Sequence, residues 1–431
     1  MLGLVFGIFL VAMVLALPMG VAMGVATIVP QMIDKTFAGN MGYIIQAMVG
    51  GLNTTPILAI PLFMLSGALM TRGGISKKLF DVFAYIAGKK TAGLPCAVVI
   101  TCLFYGAISG SGPATAAAVG AMTIPLLVEL GYDKVFSAAI VATAGGLGVI
   151  IPPSIPFIMY GLFTNTSVGE MFTAGILPGC LIALSIMIWC YIYCKRSGED
   201  KAKVAANYEK LKQRGFVKVI LDGFWALLTP VIILGGIYGG FVTPTEAACV
   251  SVFYALIVCV FIYKTIKLKD IPKLLSDAIG SYAPLLLCIA LAQGFSRILI
   301  LLKASTAVTN LLNSTVHSGT GLMVVMIIFL LILGMFMDCG PAVMILAPLI
   351  IDTAKGFGID PVHLGIVLVT ALATGFVTPP FGMNLFVTAP LIKVPVAELG
   401  KKAVPFIIAF IIALFIIAFV PAISLVLLGR A

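Results

Sequence analysis

Apolar residues run along this chain in blocks with no polar face. The blocks cover 3–29, 51–71, 93–109, 114–130, 135–150, 154–165, 172–194, 222–241, 246–263, 281–303, 319–337, 341–355, 361–377, 383–392 and 403–428. A helix that is apolar all round is buried in a large core or in a bilayer, and a span needs about 20 such residues. The pattern predicts an all-α polytopic membrane protein with roughly ten to twelve crossing or re-entrant elements. Some blocks, such as 154–165 and 383–392, are too short to cross alone. Composition agrees: 61% of the 431 residues are hydrophobic and 10% charged, where soluble domains carry about a quarter charged. A soluble enzyme, a disordered tail and a nucleic-acid-binding domain are excluded.

The formal charge of +10 is concentrated in a few connections. Segment 195–218 holds eight Lys/Arg against three acids, and 72–90 and 264–273 are also basic. The positive-inside rule places these connections in the cytoplasm. Threading from them gives a cytoplasmic N-terminus with a retained first span, a periplasmic stretch near Asp34 and Lys35, and a C-terminus emerging outside after Val426. A multi-pass protein of a bacterial inner membrane is expected. The nine cysteines form no CxxC pair and read as inert thiols in apolar runs.

An internal repeat organises the chain. Residues 106–156 match 334–383 at an offset of 228, then 227. Gly106, Gly112 and Pro113 fall on Gly334, Gly340 and Pro341; Gly131 and Asp133 on Gly358 and Asp360; Gly148, Pro152 and Pro153 on Gly375, Pro379 and Pro380. The threaded topology puts the segment ahead of the first copy in the cytoplasm and that ahead of the second in the periplasm, so the copies are inverted. Inverted repeats with interrupted helices at matching positions mark secondary transporters, whose sites lie near the midplane at the breaks.

Each copy opens with two apolar arms around a small-residue turn containing Gly-Pro, 110–113 and 338–341. Arms of this length fit a re-entrant hairpin better than two full spans. Each copy then has a helix broken at Gly-x-x-x-Pro-Pro, 148–153 and 375–380. Paired prolines remove two N–H donors and push the preceding residue out of helical geometry, which frees carbonyls. With hydroxyls such as Ser109 and Thr378, these oxygens suit a hard cation such as Na⁺. Helix N-termini restarting after the breaks and tips aim positive dipole ends at one region and suit an anionic solute. Polar candidates for contacting it are Ser111, Thr115, Ser154, Thr374 and Asn384, any of which could equally serve packing. Arg297 is a candidate for a substrate carboxylate, or snorkels from the end of its span. Asp338, where the first copy has Gly110, is a candidate for a cation, a proton or a helix cap. Glu246 reads as a first-turn acid, and His317 and His363 carry no ligand pattern.

The paired GxxSGSGPA and GxxxxxGPA tips, the two GxxxPP breaks and GGFVTPTEAA between the halves resemble the large membrane subunit of tripartite ATP-independent periplasmic (TRAP) transporters. The resemblance covers nearly the whole chain. It implies an elevator architecture, scaffold plus transport domain, with a small four-helix membrane subunit and a periplasmic substrate-binding protein as partners. It also implies Na⁺ as the coupling ion, with no other cofactor. One sodium site is implied at Gly106, Ser109, Gly148, Ile151 and Pro153, and a second at Gly334, Gly375, Thr378 and Phe381. Ser109 corresponds to Met337, so the second site needs another ligand, for which Asp338 or a backbone carbonyl is a candidate.

The expected division is scaffold at 1–71, first transport repeat at 93–165, scaffold at 172–280 with cytoplasmic loop 195–218, second transport repeat at 281–392, and a scaffold helix at 403–431. The expected function is Na⁺-coupled import of a dicarboxylate or sugar acid. A stand-alone sodium/dicarboxylate symporter of similar architecture remains the alternative. No P-loop, HExxH or GxSxG motif is present, which argues against ATP hydrolysis and against a membrane-embedded enzyme.

Overall fold

The computed structural model describes residues 1–33 and 41–430; the stretch around Asp34 and Lys35 lies outside them. The described residues are helical with no strand, and eight helices are long and apolar enough to cross a membrane, or nine if one bent pair counts as a span. The first apolar block splits at Leu15–Pro18 into α1 (Leu2–Val14) and α2 (Met19–Ile33), because Pro18 lacks an N–H. A short helix, α3 (Met41–Leu52), precedes α4 (Ala59–Arg72), and α5 (Ile75–Ala87) fills the basic connection that follows. The first hairpin is α6 (Gly93–Ser109) and α7 (Gly112–Glu129). The first broken helix is α8 (Lys134–Gly145), a 3-10 turn over Gly146–Val149, and α9 (Ile155–Thr164).

Next come α10 (Val168–Ser197), α11 (Lys201–Gln213), α12 (Phe216–Tyr238), α13 (Pro244–Ile257) and α14 (Ile271–Leu301). The helix α11 occupies what reads in sequence as a solvated loop. Its Tyr208 ring packs 5.8 Å from Tyr85 of α5, and Arg214 beyond it bridges Asp81 at 2.6 Å and Asp222 at 3.1 Å. The hydrogen bond to Asp81, chiefly, raises the Arg214 pKa. The Thr243 hydroxyl and the Glu246 carboxylate close a capping box at the start of α13, so Glu246 is structural.

The second half holds α15 (Ala304–Thr315), bent 115° from α16 (Gly319–Gly334), then α17 (Cys339–Gly356), α18 (Pro361–Gly375), α19 (Met383–Ile392), α20 (Val396–Phe419) and α21 (Ala422–Leu425). The order of elements therefore recurs over a longer stretch than the matching residues: α4 to α10 is followed, element for element, by α14 to α20.

Helices α1 to α4 and α12 to α14 form one packed group. Phe9 stacks on Phe295 at 5.4 Å, the Ser66 hydroxyl donates to the Ser251 carbonyl at 3.1 Å, and Arg72 pairs with Asp277 at 3.0 Å. The packing departs from the expected division at α10 and α20, which lie against the broken helices. A Cβ on Gly175 of α10 would stand 2.8 Å from the Ile150 carbonyl, and one on Gly400 of α20 would stand 2.7 Å from the Pro379 ring. Hydropathy cannot distinguish these helices from their neighbours, since both classes are apolar; only the glycines that admit close backbone approach differ. The N-cap aspartates of the broken helices are also paired: Lys402 of α20 stands 3.8 Å from Asp133, and Arg430, beyond α21, stands 3.6 Å from Asp360. Similarly α14, placed with the second repeat by sequence, packs on α2, α3 and α4 as well as on α17.

Candidate functional site

Each hairpin meets its own broken helix through glycine backbones. A Cβ on Gly106 would lie 2.8 Å from the Gly148 Cα, and one on Gly334 would lie 3.3 Å from the Gly375 Cα. Backbone thus packs on backbone where the helices end and their last carbonyls lack intrahelical partners. In the first copy the tip turns on Gly110, at φ +63°, a left-handed conformation that glycine adopts without penalty. Ser109 Oγ and Thr115 Oγ1 are 2.8 Å apart, and the Thr115 hydroxyl donates to the Ser111 carbonyl at 2.9 Å. Gly148 is seated under this tip: a Cβ there would be 2.6 Å from the Ser111 carbonyl oxygen. The break beyond it is buried from Ile150 through Ile155, with Ile151 and Pro153 included and a cis Pro152–Pro153 bond. Ser154 caps α9 through the Phe157 N–H and donates to the Val149 carbonyl at 2.5 Å, so its hydroxyl is committed within the chain.

The second copy repeats the geometry with different chemistry. Thr378 donates to the Thr374 carbonyl at 2.8 Å, and Thr374 to that of Thr370 at 3.0 Å. The tip turns at Asp338, whose φ is −66° and whose Oδ1 accepts the Cys339 N–H at 2.7 Å, capping α17. Pro380 and Phe381 are exposed, and the Phe381 ring lies 5.8 Å from that of Phe336.

The copies are interlocked. The restart helix α9 packs on α17 of the second hairpin, and the restart helix α19 packs on α7 and α8. Asn384 of α19 is buried and donates to the Ala142 carbonyl of α8 at 2.8 Å, so it ties the two copies together and does not line the cavity.

Between the tips lies a cavity of about 220 Å³. Gly110, Ser111 and Pro113 from the first tip and Asp338 and Gly340 from the second reach it, as do the restarts at Ile155, Pro156 and Met383. Met64 of α4 and Ser281 and Leu285 of α14 wall the remaining side. Four helix N-termini, those of α7, α9, α17 and α19, thus converge there, which favours negative charge. Of the residues expected to contact solute, Ser111 and Asp338 line this cavity; Thr115, Ser154, Thr374 and Asn384 are buried behind it in hydrogen bonds. Arg297 does not reach it. It is exposed one turn from the end of α14, 12 residues beyond Leu285 or roughly 18 Å along the helix, as snorkelling would place it. Sequence reasoning missed Met64, Ser281 and Leu285, which sit inside apolar blocks with no local signal.

The chain matches the family model described as tripartite ATP-independent periplasmic transporter, DctM component, over residues 6–423. It is 38% identical over 371 residues to the C4-dicarboxylate TRAP transporter large permease protein DctM of Pseudomonas aeruginosa, covering 86% of each chain. It is 37% identical over 430 residues to the isethionate TRAP transporter permease protein DctMQ of Oleidesulfovibrio alaskensis, covering 99% of this chain and 66% of that one. The fold is similar to that of the Alcanivorax borkumensis YdaH transporter, with a TM-score of 0.64 at 15% identity over 90% of this chain and 89% of that one. Its apolar helices and these relatives make it a multi-pass protein of the bacterial inner membrane and a transporter, not an enzyme. It belongs to the TRAP transporter family, as a large membrane permease subunit.

Proposed function

We propose that this chain is the membrane path for Na⁺-coupled import of a small carboxylate-bearing organic acid. It would work with a small four-helix membrane subunit and a periplasmic binding protein. The observation that carries the reading is the cavity itself: two hairpin tips and two helix restarts close on one space whose remaining wall comes from α4 and α14. That is the arrangement an elevator needs, with solute held by the hairpin unit and sealed against helices outside it. The moving body on this reading is both hairpins, both broken helices and the α10 and α20 that pack on them; α1 to α4 and α12 to α14 stay in place. Na⁺ at Gly106, Ser109, Gly148, Ile151 and Pro153, and at Gly334, Gly375, Thr378 and Phe381, would order the tips before solute binds. The relatives named for C4-dicarboxylates and isethionate are consistent with a small anion.

Thermal unfolding of the chain with its small subunit, in Na⁺ against choline at constant ionic strength, checks the coupling ion. A ligand that binds only the folded state stabilises it by RT ln(1 + [L]/Kd), so a Na⁺-specific rise in melting temperature is expected. Ser109→Ala and Thr378→Val are each expected to weaken apparent Na⁺ affinity about tenfold, or about 1.4 kcal/mol. Unchanged affinity in both variants would rule out these ligand assignments. Uptake that proceeds without any binding protein would point to a stand-alone symporter.

A further inference from the structure

Among the described residues the cavity is lined by one ionisable side chain, Asp338, and by no Lys, Arg or His. Asp338 Oδ1 is used in capping α17, while its second oxygen takes no hydrogen bond or ion pair from the described residues. Near this carboxylate the same space meets the N-terminus of α7, at Ser111 and Pro113, and the start of α9, at Ile155 and Pro156. These ends bear partial positive charge and attract an anionic group. Apart from Ser281, the remaining lining, such as Met64, Met159 and Leu285, is apolar, and none of it offers a counter-charge. The site is therefore dipolar, with an anion-attracting side and one fixed carboxylate.

We propose, resting on the transport reading above, that the solute carries an ammonium-type hydrogen-bond donor beside its anionic group, and that Asp338 receives that donor. A plain dianion would place a second carboxylate in a site already holding one. Like charges there repel. Asp338 thus selects for a zwitterion and against a dianion, attraction and repulsion acting through one group.

The test is ligand-induced thermal stabilisation of the complex with its small subunit in saturating Na⁺. The probes are β-alanine, 4-aminobutyrate and L-proline against succinate, fumarate and acetate. Wild type is expected to be stabilised by at least one zwitterion and by neither dianion. Asp338→Asn and Asp338→Ser both keep a good N-cap residue; each is expected to weaken zwitterion binding about tenfold or more while leaving the Na⁺-specific stabilisation intact. Stabilisation by succinate or fumarate with no response to zwitterions overturns the proposal but leaves the transport reading standing. Loss of the Na⁺ effect in both variants also overturns it, making Asp338 an ion ligand. No response to any probe, together with no Na⁺ effect in wild type, sinks both readings.

Discussion

Gly375→Ala is expected to abolish uptake and to cost about 3 kcal/mol of stability, the upper part of the usual range for overpacking. A Cβ at this position would overlap the Gly334 carbonyl. The obstacle is backbone at the end of another helix, not the tip of a flexible side chain, so it has no rotamer to retreat into. Relief requires parting α16 from α18, which spreads the carbonyls proposed to share an ion. Gly106→Ala is expected to behave the same way, more mildly, against the Gly148 Cα. The control is Gly235→Ala in α12, where no atom lies within 4 Å of the added carbon and Ala is the better helix former. Thermal unfolding in detergent and uptake into proteoliposomes read both effects. Near-normal uptake by Gly375→Ala would mean that the close crossing is dispensable, and the second ion site would have to lie elsewhere.

The second large effect is expected at Gly67 of α4, outside both proposed ion sites. A Cβ there would sit 3.1 Å from the Ser109 Cα and 3.5 Å from the Ile108 carbonyl oxygen. If the hairpin unit slides past α4, this is a bearing surface, and it tolerates no protrusion. Gly67→Leu is expected to slow initial uptake about a hundredfold, equivalent to about 2.7 kcal/mol on the barrier. Gly67→Ala needs the neighbour to yield by only tenths of an ångström and is expected to slow it much less. Na⁺-specific stabilisation should survive in Gly67→Ala, separating a jammed interface from a lost ion. Full activity in Gly67→Leu would show that α4 and the first tip do not move past each other, which contradicts the elevator reading.

Much of the site was legible because its features are local and chemically distinctive. Gly-Pro turns and Gly-x-x-x-Pro-Pro breaks interrupt helices through missing donors and forbidden backbone geometry, whatever surrounds them. Hence α6, α18 and α19 appear near their expected bounds and the breaks fall at Ile150–Ser154 and Phe376–Gly382. What depends on neighbours was not legible. The pattern of an apolar run does not say which helix it will touch, so the packing of α10 and α20 on the broken helices and of α14 on α2, α3 and α4 was not read from it. Asn384 looks the same in sequence whether it faces solute or the Ala142 carbonyl. Arg297 sits where an apolar flank hides the difference between a solute anchor and a snorkelling side chain. The short amphipathic helices α5 and α15 were overlooked because their polar faces resemble connections; α5 alone carries Lys77, Lys78 and Asp81 among its thirteen residues.

The crossing of α9 onto α17 and of α19 onto α7 has a consequence for leakage. If ordering one copy's break also settles the other copy's tip, the two proposed ion sites share a coupling free energy, and each then affects the other equally. Na⁺ activation is then expected to be sigmoidal, and a lesion at either site to weaken both. If both sites bind Na⁺, half-loaded protein becomes scarce as a result of how the chain is interwoven, which removes one route by which the ion gradient could leak without cargo.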